Sequence, residues 1–377
     1  MPGHPLSIAI VGAGMGGLAA AAALRQTGID VQVYEQATRF ARIGAGIQMM
    51  PNSMKVLRCI GVEQRLREFS FAPYSHLNRA GDTGEITREL PMPEGLYNAP
   101  YLCMHRGDLH DALLSAVPAA RVHTDKKLVG LDQAKRRVTL SFADGSRASA
   151  DAVIGADGVH STVRELLIGR DAPVHKGRIA YRAVFPAALM GGKDIGPSRT
   201  KWWGEDRHIV IYYTTRAKSE VYFVTSVPEP FEGLTRESWS AKGDVQQLRA
   251  AYDGFHEDVR TVLAACPDCH KWAILEREPL PRWSDARVAL LGDACHPMTP
   301  YMAQGAAMAI EDAAVLSRCL DGVAREDVAD AFRRFEATRK ARTARVQETS
   351  RKNIWLKEKT DADWVYAYDA WTTPLAA

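Results

Sequence analysis

The chain has 377 residues, 46% hydrophobic and 25% charged, with a formal net charge of +3. That length buries a large core in one or two domains, and the composition is that of an ordinary soluble globular protein. So small a net charge, with RKARTAR (339–345) as the most basic patch, excludes nucleic acid as a partner, and no apolar run approaches the ~18 residues of a membrane span.

The first strand begins within a few residues and nothing before it has signal-peptide design, so a cytoplasmic protein is expected. Six cysteines (Cys59, Cys103, Cys266, Cys269, Cys295, Cys319) are scattered along the chain and are expected to be reduced. Cys266-Pro-Asp-Cys269-His270 spells a c-type haem attachment, but that chemistry requires export, and no second Cys pair completes a zinc site. No metal is expected.

Ile8-Ala9-Ile10-Val11 reads as a buried strand that ends in Gly12-x-Gly14-x-x-Gly17, and an alanine-rich helix runs from there to Leu24 and Gly28. Gly12 suits a tight turn, Gly14 a close approach of pyrophosphate, and Gly17 close packing of helix on strand. The N-terminus of that helix then faces the phosphates. Val31–Tyr34 reads as a second strand ending in Glu35, an acid about 20 residues past the glycines and placed to hold ribose hydroxyls. A glycine turn in some other α/β protein is the plain alternative. Strand, turn, helix, second strand and acid together favour a dinucleotide site.

Ala41–Gln48 is a glycine-punctuated loop whose Arg42 is either a solvated charge or a dinucleotide contact. Pro51 opens a helix that Gly61 stops. Turn-rich alternating pieces follow in 73–99 and suggest strands of a separate sheet. Arg106 precedes a helix capped by Asp108, where it either closes over a phosphate or makes a surface ion pair. Lys127–Gly145 reads as a hairpin with its turn at Asp144-Gly145.

Ala152–Gly155 is a buried strand running into Asp157-Gly158, and Ser161 opens a helix containing Arg164. Strands at 179–185, 207–215 and 220–227 precede a helical stretch at 244–263. A last buried strand ends at Gly292-Asp293, and two helices follow at 306–320 and about 328–350. Asp293 is either a helix cap or a ligand of sugar-like hydroxyls ahead of the small-residue loop Ala303–Ala306. The predicted organisation is α/β: a nucleotide domain in three segments (1–72, 100–177 and 276–345), a sheet domain (73–99 and 178–275) and a tail (346–377). The natural binding site lies between the two domains.

In their order and separation, Gly12-x-Gly14-x-x-Gly17 with Glu35, Asp157-Gly158 before Arg164, and Gly292-Asp293 resemble the single-component (class A) flavoprotein aromatic hydroxylases, over nearly the whole chain. The resemblance implies a Rossmann-like FAD-binding domain of glutathione-reductase type with an interleaved mixed β-sheet substrate domain, as in p-hydroxybenzoate hydroxylase. It implies non-covalent FAD, NADH or NADPH as electron donor, and O2 as co-substrate. Glu35, with Gln36, would hold the adenosine ribose, Arg42 and Arg106 the pyrophosphate side, and Asp293 the ribityl chain. Ala45, Gly46, Asp157, Gly158, Gly305 and Ala306 would also border the cofactor.

Lys201-Trp202-Trp203, Glu205–His208, Tyr212–Thr215 and Trp364–Asp369 are most similar to the 6-hydroxynicotinate 3-monooxygenase branch. That branch makes 2,5-dihydroxypyridine by decarboxylative hydroxylation, through a flavin C4a-hydroperoxide. It carries His where this chain has Gln48, and Lys-Pro-His where it has Thr299-Pro300-Tyr301; both positions look more like 3-hydroxybenzoate 6-hydroxylase. An isomeric acid such as 5-hydroxypicolinate is therefore a candidate substrate, with salicylate- or 3-hydroxybenzoate-type hydroxylation as the alternative and a non-catalytic FAD-binding sensor more remote.

His208 and Tyr212, spaced i, i+4 on a predicted strand, share a face. His208 is read as the base and Tyr212 as holder of the phenolate-like oxygen, against the plain reading of an ordinary half-buried strand histidine. Gln48, Tyr301 and Met302 would shape the substrate pocket and are candidates to bind the carboxylate. His296, Trp202, Trp203 and Trp283 are read as structural, and the protein as a monomer or homodimer.

Overall fold

Ser7–Val11 lies inside a six-stranded sheet, in the order Ser284–Asp285, Val288–Leu290, Ala152–Gly155, Ser7–Val11, Asp30–Tyr34, Val122–His123. The computed structural model describes residues 5–42, 44–229 and 241–377. Ile43 of the glycine-punctuated loop and residues 230–240 of the sheet-rich stretch lie outside the described residues. Both neighbours of Ser7–Val11 run parallel to it, with Ile10 opposite Ile154 and Val33. Strands covered on both faces read as nearly unbroken apolar runs, as Ser7–Val11 and Ala152–Gly155 do, whereas Asp30–Tyr34 alternates.

The Met15–Gln26 helix packs against the Gly305–Leu320 helix. A Cβ on Gly16 would come within 2.7 Å of Leu291 Cδ2 and 3.0 Å of Ala309 Cβ, so small residues set how closely these elements meet.

The second sheet has eight strands in the order Lys242–Gly243, Cys269–Glu276, Val174–Pro186, Glu220–Pro228, His208–Tyr213, Arg199–Trp203, Ser75–Ala80, Ile86–Pro91. It is antiparallel except where Arg199–Trp203 meets Ser75–Ala80. Each sheet has its own core: aliphatic around the parallel sheet, and rich in Tyr and Phe around the mixed one.

Several local expectations shift. The Asp144-Gly145 turn joins the last two strands of a three-stranded sheet, Leu128–Gln133, Val138–Phe142 and Arg147–Ala150. Part of the Ala41–Gln48 loop is a strand, Gly46–Met49, paired with Leu102–His105. The stretch 244–263 divides into Val245–Ala250 and Glu257–Ala265, because Asp244 and His256 each cap a separate start. His105, not Asp108, caps Arg106–Ser115, its Nδ1 accepting from Gly107 N–H at 3.0 Å. Beyond the Val328–Arg351 helix, Trp355, Leu356, Val365 and Tyr366 are buried in the core of the mixed sheet.

All six cysteines are free thiols, and among the described residues no helix is long and apolar enough to cross a membrane. Trp202 and Trp283 sit in the cores, and Trp203 donates to Asn78 Oδ1.

A buried ion network ties the C-terminal helix to the rest. Arg339, fully buried, reaches Glu311 Oε2 at 2.8 Å and Asp312 Oδ1 at 2.7 Å, and Asp312 Oδ2 meets His296 Nε2 at 2.5 Å. Arg342 adds two 2.8 Å bonds to Glu311. Removing one partner leaves buried charge uncompensated, so Arg339→Met should lose about 3–5 kcal/mol of stability by chemical denaturation. Burial alone would raise the Asp312 pKa, but His296 and Arg339 outweigh it and hold it at about 2, against an ordinary 3.8. A depressed carboxylate stabilises the fold above its unfolded pKa and stops doing so as pH falls through the folded value. Wild-type protein should therefore lose this contribution between about pH 4 and about pH 2, and Arg339→Met should show a weaker decline over the same window.

Candidate functional site

A cleft of about 330 Å³ opens between the two sheets. One wall is made by two helix beginnings, Gly14–Gly16 and Gly305–Ala306; the other presents Arg182, Tyr212, Tyr222, Val224 and Trp272 from the mixed sheet.

The glycine turn is a steric requirement. Gly12 has φ +105°, and a Cβ there would lie 2.4 Å from Ala156 O; one on Gly17 would lie 2.0 Å from Gly12 O. Gly14 differs, with an ordinary φ of −75° and nothing within 4 Å of its missing Cβ. Its bare backbone faces the cleft. Neither helix has a side-chain cap bond or an acid in its first turn, so unsatisfied N–H groups and positive dipole ends converge on the same space. Such a cradle fits a dinucleotide pyrophosphate and an electron-rich flavin ring.

Arg106 and Asp293 also line the cleft. Burial lowers the Arg106 pKa, with Asp293 opposing. Asp293 is open to the cleft but deep within the molecule; burial raises its carboxyl, against His296 and Arg106. It is not a helix cap: Gln304 stands at the start of the next long helix.

Of the residues expected at the site, Ala45, Gly46, Gln48 and Gly158 join Gly14, Arg106, Tyr212, Asp293, Gly305 and Ala306 around the cleft. Gly46 is needed there, since its Cβ would fall 2.5 Å from the Tyr222 ring and 2.9 Å from the Tyr212 hydroxyl. Gln48 Oε1 accepts from Tyr101 at 2.6 Å. Glu35 stands behind the turn, its two oxygens accepting from Ala13 and Ala37 N–H at 2.8 Å each, with Gln36 exposed beside it.

Other expected residues are spent elsewhere. Arg42 is half exposed and pairs with Asp108 at 3.1 Å and Glu220 at 3.3 Å, so two carboxylates hold it away from the cleft lining. Asp157 turns to the Thr162–Ile168 helix, accepting from the Ser161 hydroxyl at 2.5 Å and Val163 N–H at 3.0 Å.

His208 and Tyr212 do share a strand face, opposite Ser226 and Tyr222 respectively. Only Tyr212 reaches the cleft. His208 is 5% exposed and packs against the rings of Trp203 and Tyr301, at 5.0 and 5.6 Å between centroids. Burial, then Lys201, Arg178, Arg199 and Lys357, hold its pKa well below 6.5. It is therefore a neutral imidazole held among aromatic rings, not a base that titrates near neutrality. Tyr301 bonds Ser226 Oγ at 3.1 Å, and Met302 lies in the mixed-sheet core. Both stand just beyond the lining, next to Pro300 and Ala303. His296 is structural, bound to Asp312.

The sequence reading missed Arg182, stacked 4.4 Å over Trp272, as well as Tyr222 and Val224. The alternation Tyr222-x-Val224-x-Ser226 marks a face, but which face meets the cleft depends on pairing across strands far apart in sequence.

The FAD binding domain family profile matches residues 6–350. The chain is 44% identical over all of its length, and 98% of the relative's, to 6-hydroxynicotinate 3-monooxygenase of Bordetella bronchiseptica. It is 34% identical over 97% of its length, and 92% of the relative's, to 3-hydroxybenzoate 6-hydroxylase of Polaromonas naphthalenivorans. Among solved structures it is similar to Klebsiella pneumoniae HpxO complexed with FAD and uric acid, with TM-score 0.83, 29% identity, and coverage of 97% of this chain and 92% of that one.

The two glycines should separate under mutation. Gly17→Ala drives a methyl into Gly12 O and should prevent a stable fold, seen as loss of soluble protein. Gly14→Ala has room within the protein, so flavin-free stability should change by no more than about 1 kcal/mol while FAD content falls.

Proposed function

This chain belongs to the FAD-binding family of flavoprotein aromatic monooxygenases, and on that premise we propose that its substrate is a hydroxypyridine carboxylate such as 6-hydroxynicotinate or 5-hydroxypicolinate. The reaction consumes one acid, one O2, one NADH or NADPH and one proton, and yields 2,5-dihydroxypyridine, CO2, water and the oxidised nicotinamide. The observation that carries this reading is the cleft, with two helix N-termini on one side and the Tyr212 face on the other. It occurs in a chain 44% identical end to end to an enzyme named for such an acid. The cytoplasm, where the reduced nicotinamide is at hand, is the proposed location.

Bound FAD supplies the redox chemistry, taking electrons from NAD(P)H and delivering one oxygen atom of O2 as an electrophile. Gly14 and the N–H groups behind it bind the pyrophosphate, with Arg106 as the nearby cation. Glu35 takes ribose hydroxyls, and Asp293 the hydroxyls of the sugar-alcohol chain. The uncapped N-terminus of Gly305–Leu320, which opens on the cleft, would stabilise negative charge on a flavin ring bound there.

Across the cleft, burial holds the Tyr212 hydroxyl well above its ordinary pKa, so it stays protonated. It donates to the substrate's ring oxygen and stabilises the electron-rich form that attacks oxygen. Neutral His208 packs against the Tyr301 ring further along the same face and holds it in place, and Gln48, Tyr301 and Met302 shape the pocket. The packed aromatic wall of Tyr222 and Trp272 keeps water from the reacting centre.

A second reading, hydroxylation of 3-hydroxybenzoate or salicylate, is favoured by Gln48 and Tyr301. Oxygen uptake and CO2 release with 6-hydroxynicotinate, 5-hydroxypicolinate, 3-hydroxybenzoate and salicylate decide between the two. Coupled CO2 release with a pyridine acid is expected, and hydroxylated product from a benzoate alone rejects the pyridine assignment. His208→Ala and Tyr212→Phe should keep their flavin, lose roughly a hundredfold in product formation, and divert reducing equivalents to H2O2. Unchanged coupling in either variant removes that residue from the mechanism.

A further inference from the structure

On the mixed sheet the register sets Lys201 opposite Val210 and Trp203 opposite His208. Val210 in turn faces Val224, which lines the cleft, so Lys201 belongs to the same row and face as the cleft wall. Lys201 is 2% exposed. Its ammonium lies 3.7 Å from the centre of the Trp203 ring, and among the described residues no carboxylate pairs with it and no hydrogen-bond acceptor receives its protons.

Arg199, two residues back on the same face, is 7% exposed, and its Nε is buried without a partner. His76, its neighbour across the parallel pair, has an unpartnered Nδ1. Lys357 comes from the C-terminal segment to within 5.0 Å of the same Trp203 ring. At the back of the cleft buried charge is paired, as Arg339 is with Glu311 and Asp312. Here cations are gathered, and no acid of the described residues answers them.

We propose that Lys201 and Arg199 hold the carboxylate of the aromatic substrate. The inference rests on the function proposed above and names the group that selects an acid. A carboxylate offers two oxygens with spare lone pairs, enough to accept from the ammonium and from the guanidinium together. The ring then lies over the Val210–Val224 row, with its hydroxyl toward Tyr212. An aromatic compound without the acid leaves both cations unanswered and is discriminated against. Burial, then Arg199, Lys357 and Arg178, hold the empty-site Lys201 well below its usual pKa, and an arriving anion offsets that penalty.

The test uses the FAD-loaded enzyme and reads binding from the perturbation of flavin absorbance. Two pairs of ligands are titrated, 6-hydroxynicotinate with 2-hydroxypyridine and 5-hydroxypicolinate with 3-hydroxypyridine, each pair differing only in the carboxylate. Wild type should bind the preferred acid roughly a hundredfold more tightly than its decarboxylated partner. Lys201→Met should remove most of that difference while leaving the affinity for the decarboxylated ligand unchanged, and Arg199→Met should remove part of it. Equal wild-type affinity for acid and partner, an unaltered acid affinity in Lys201→Met, or equal loss of both ligands overturns the assignment. If wild type binds only salicylate or 3-hydroxybenzoate, the pyridine reading fails, and the same comparison against phenol still tests Lys201. Binding of no aromatic acid at all overturns both.

Discussion

One carboxylate holds the back of the cleft in place. Asp312 receives Arg339 on one oxygen, and His296 together with the Gly292 N–H on the other, so a single buried acid joins the C-terminal helix, the strand end before Asp293 and the helix that begins at Gly305. Glu311, the residue before it, does the same for Arg342 and for Asn52 Nδ2 at 2.7 Å. These contacts span 16 to 259 positions in sequence. Without them, Asp293 and the second helix N-terminus would have no fixed place opposite the first.

The cleft depends on two kinds of close approach. Around the nucleotide cradle, missing side chains allow it: Gly12 against Ala156, Gly17 against Gly12, Gly16 against Leu291 and Ala309. On the far side, Gly46 gives Tyr212 and Tyr222 the space to lie against its strand. The result is a polarised cavity. Helix N-termini and Arg106 face the cofactor side, while aromatic rings and protonated hydroxyls face the ring to be oxidised.

Charge is treated differently at the two ends of the molecule. The network around Arg339 is closed, and each cation is answered by an acid of the chain. Burial works against the charge of both Arg339 and Lys201; Glu311 and Asp312 outweigh it at Arg339, whereas around Lys201 the described residues supply no acid and its pKa is pushed down. His208 shares that field, which together with burial keeps its imidazole neutral.

Local sequence determined the strand–turn–helix of Ile8–Leu24, the acid at Glu35, the Asp293 strand end and the long C-terminal helices. Steric need for glycine, β-branched runs and capping residues act over a few positions and leave a readable pattern. The resemblance to flavoprotein hydroxylases rested on those same motifs. What only the tertiary structure decided is which side chains turn inward. Arg42 and Arg106 look alike in sequence, yet Asp108 and Glu220 draw the first outward while burial carries the second to the cleft. Asp157 sits in a motif that suggests a ligand, and the nearest helix start claims it. Arg182, Tyr222 and Lys201 owe their positions to strand pairing over long loops, a register set by the whole sheet and by no stretch of it alone.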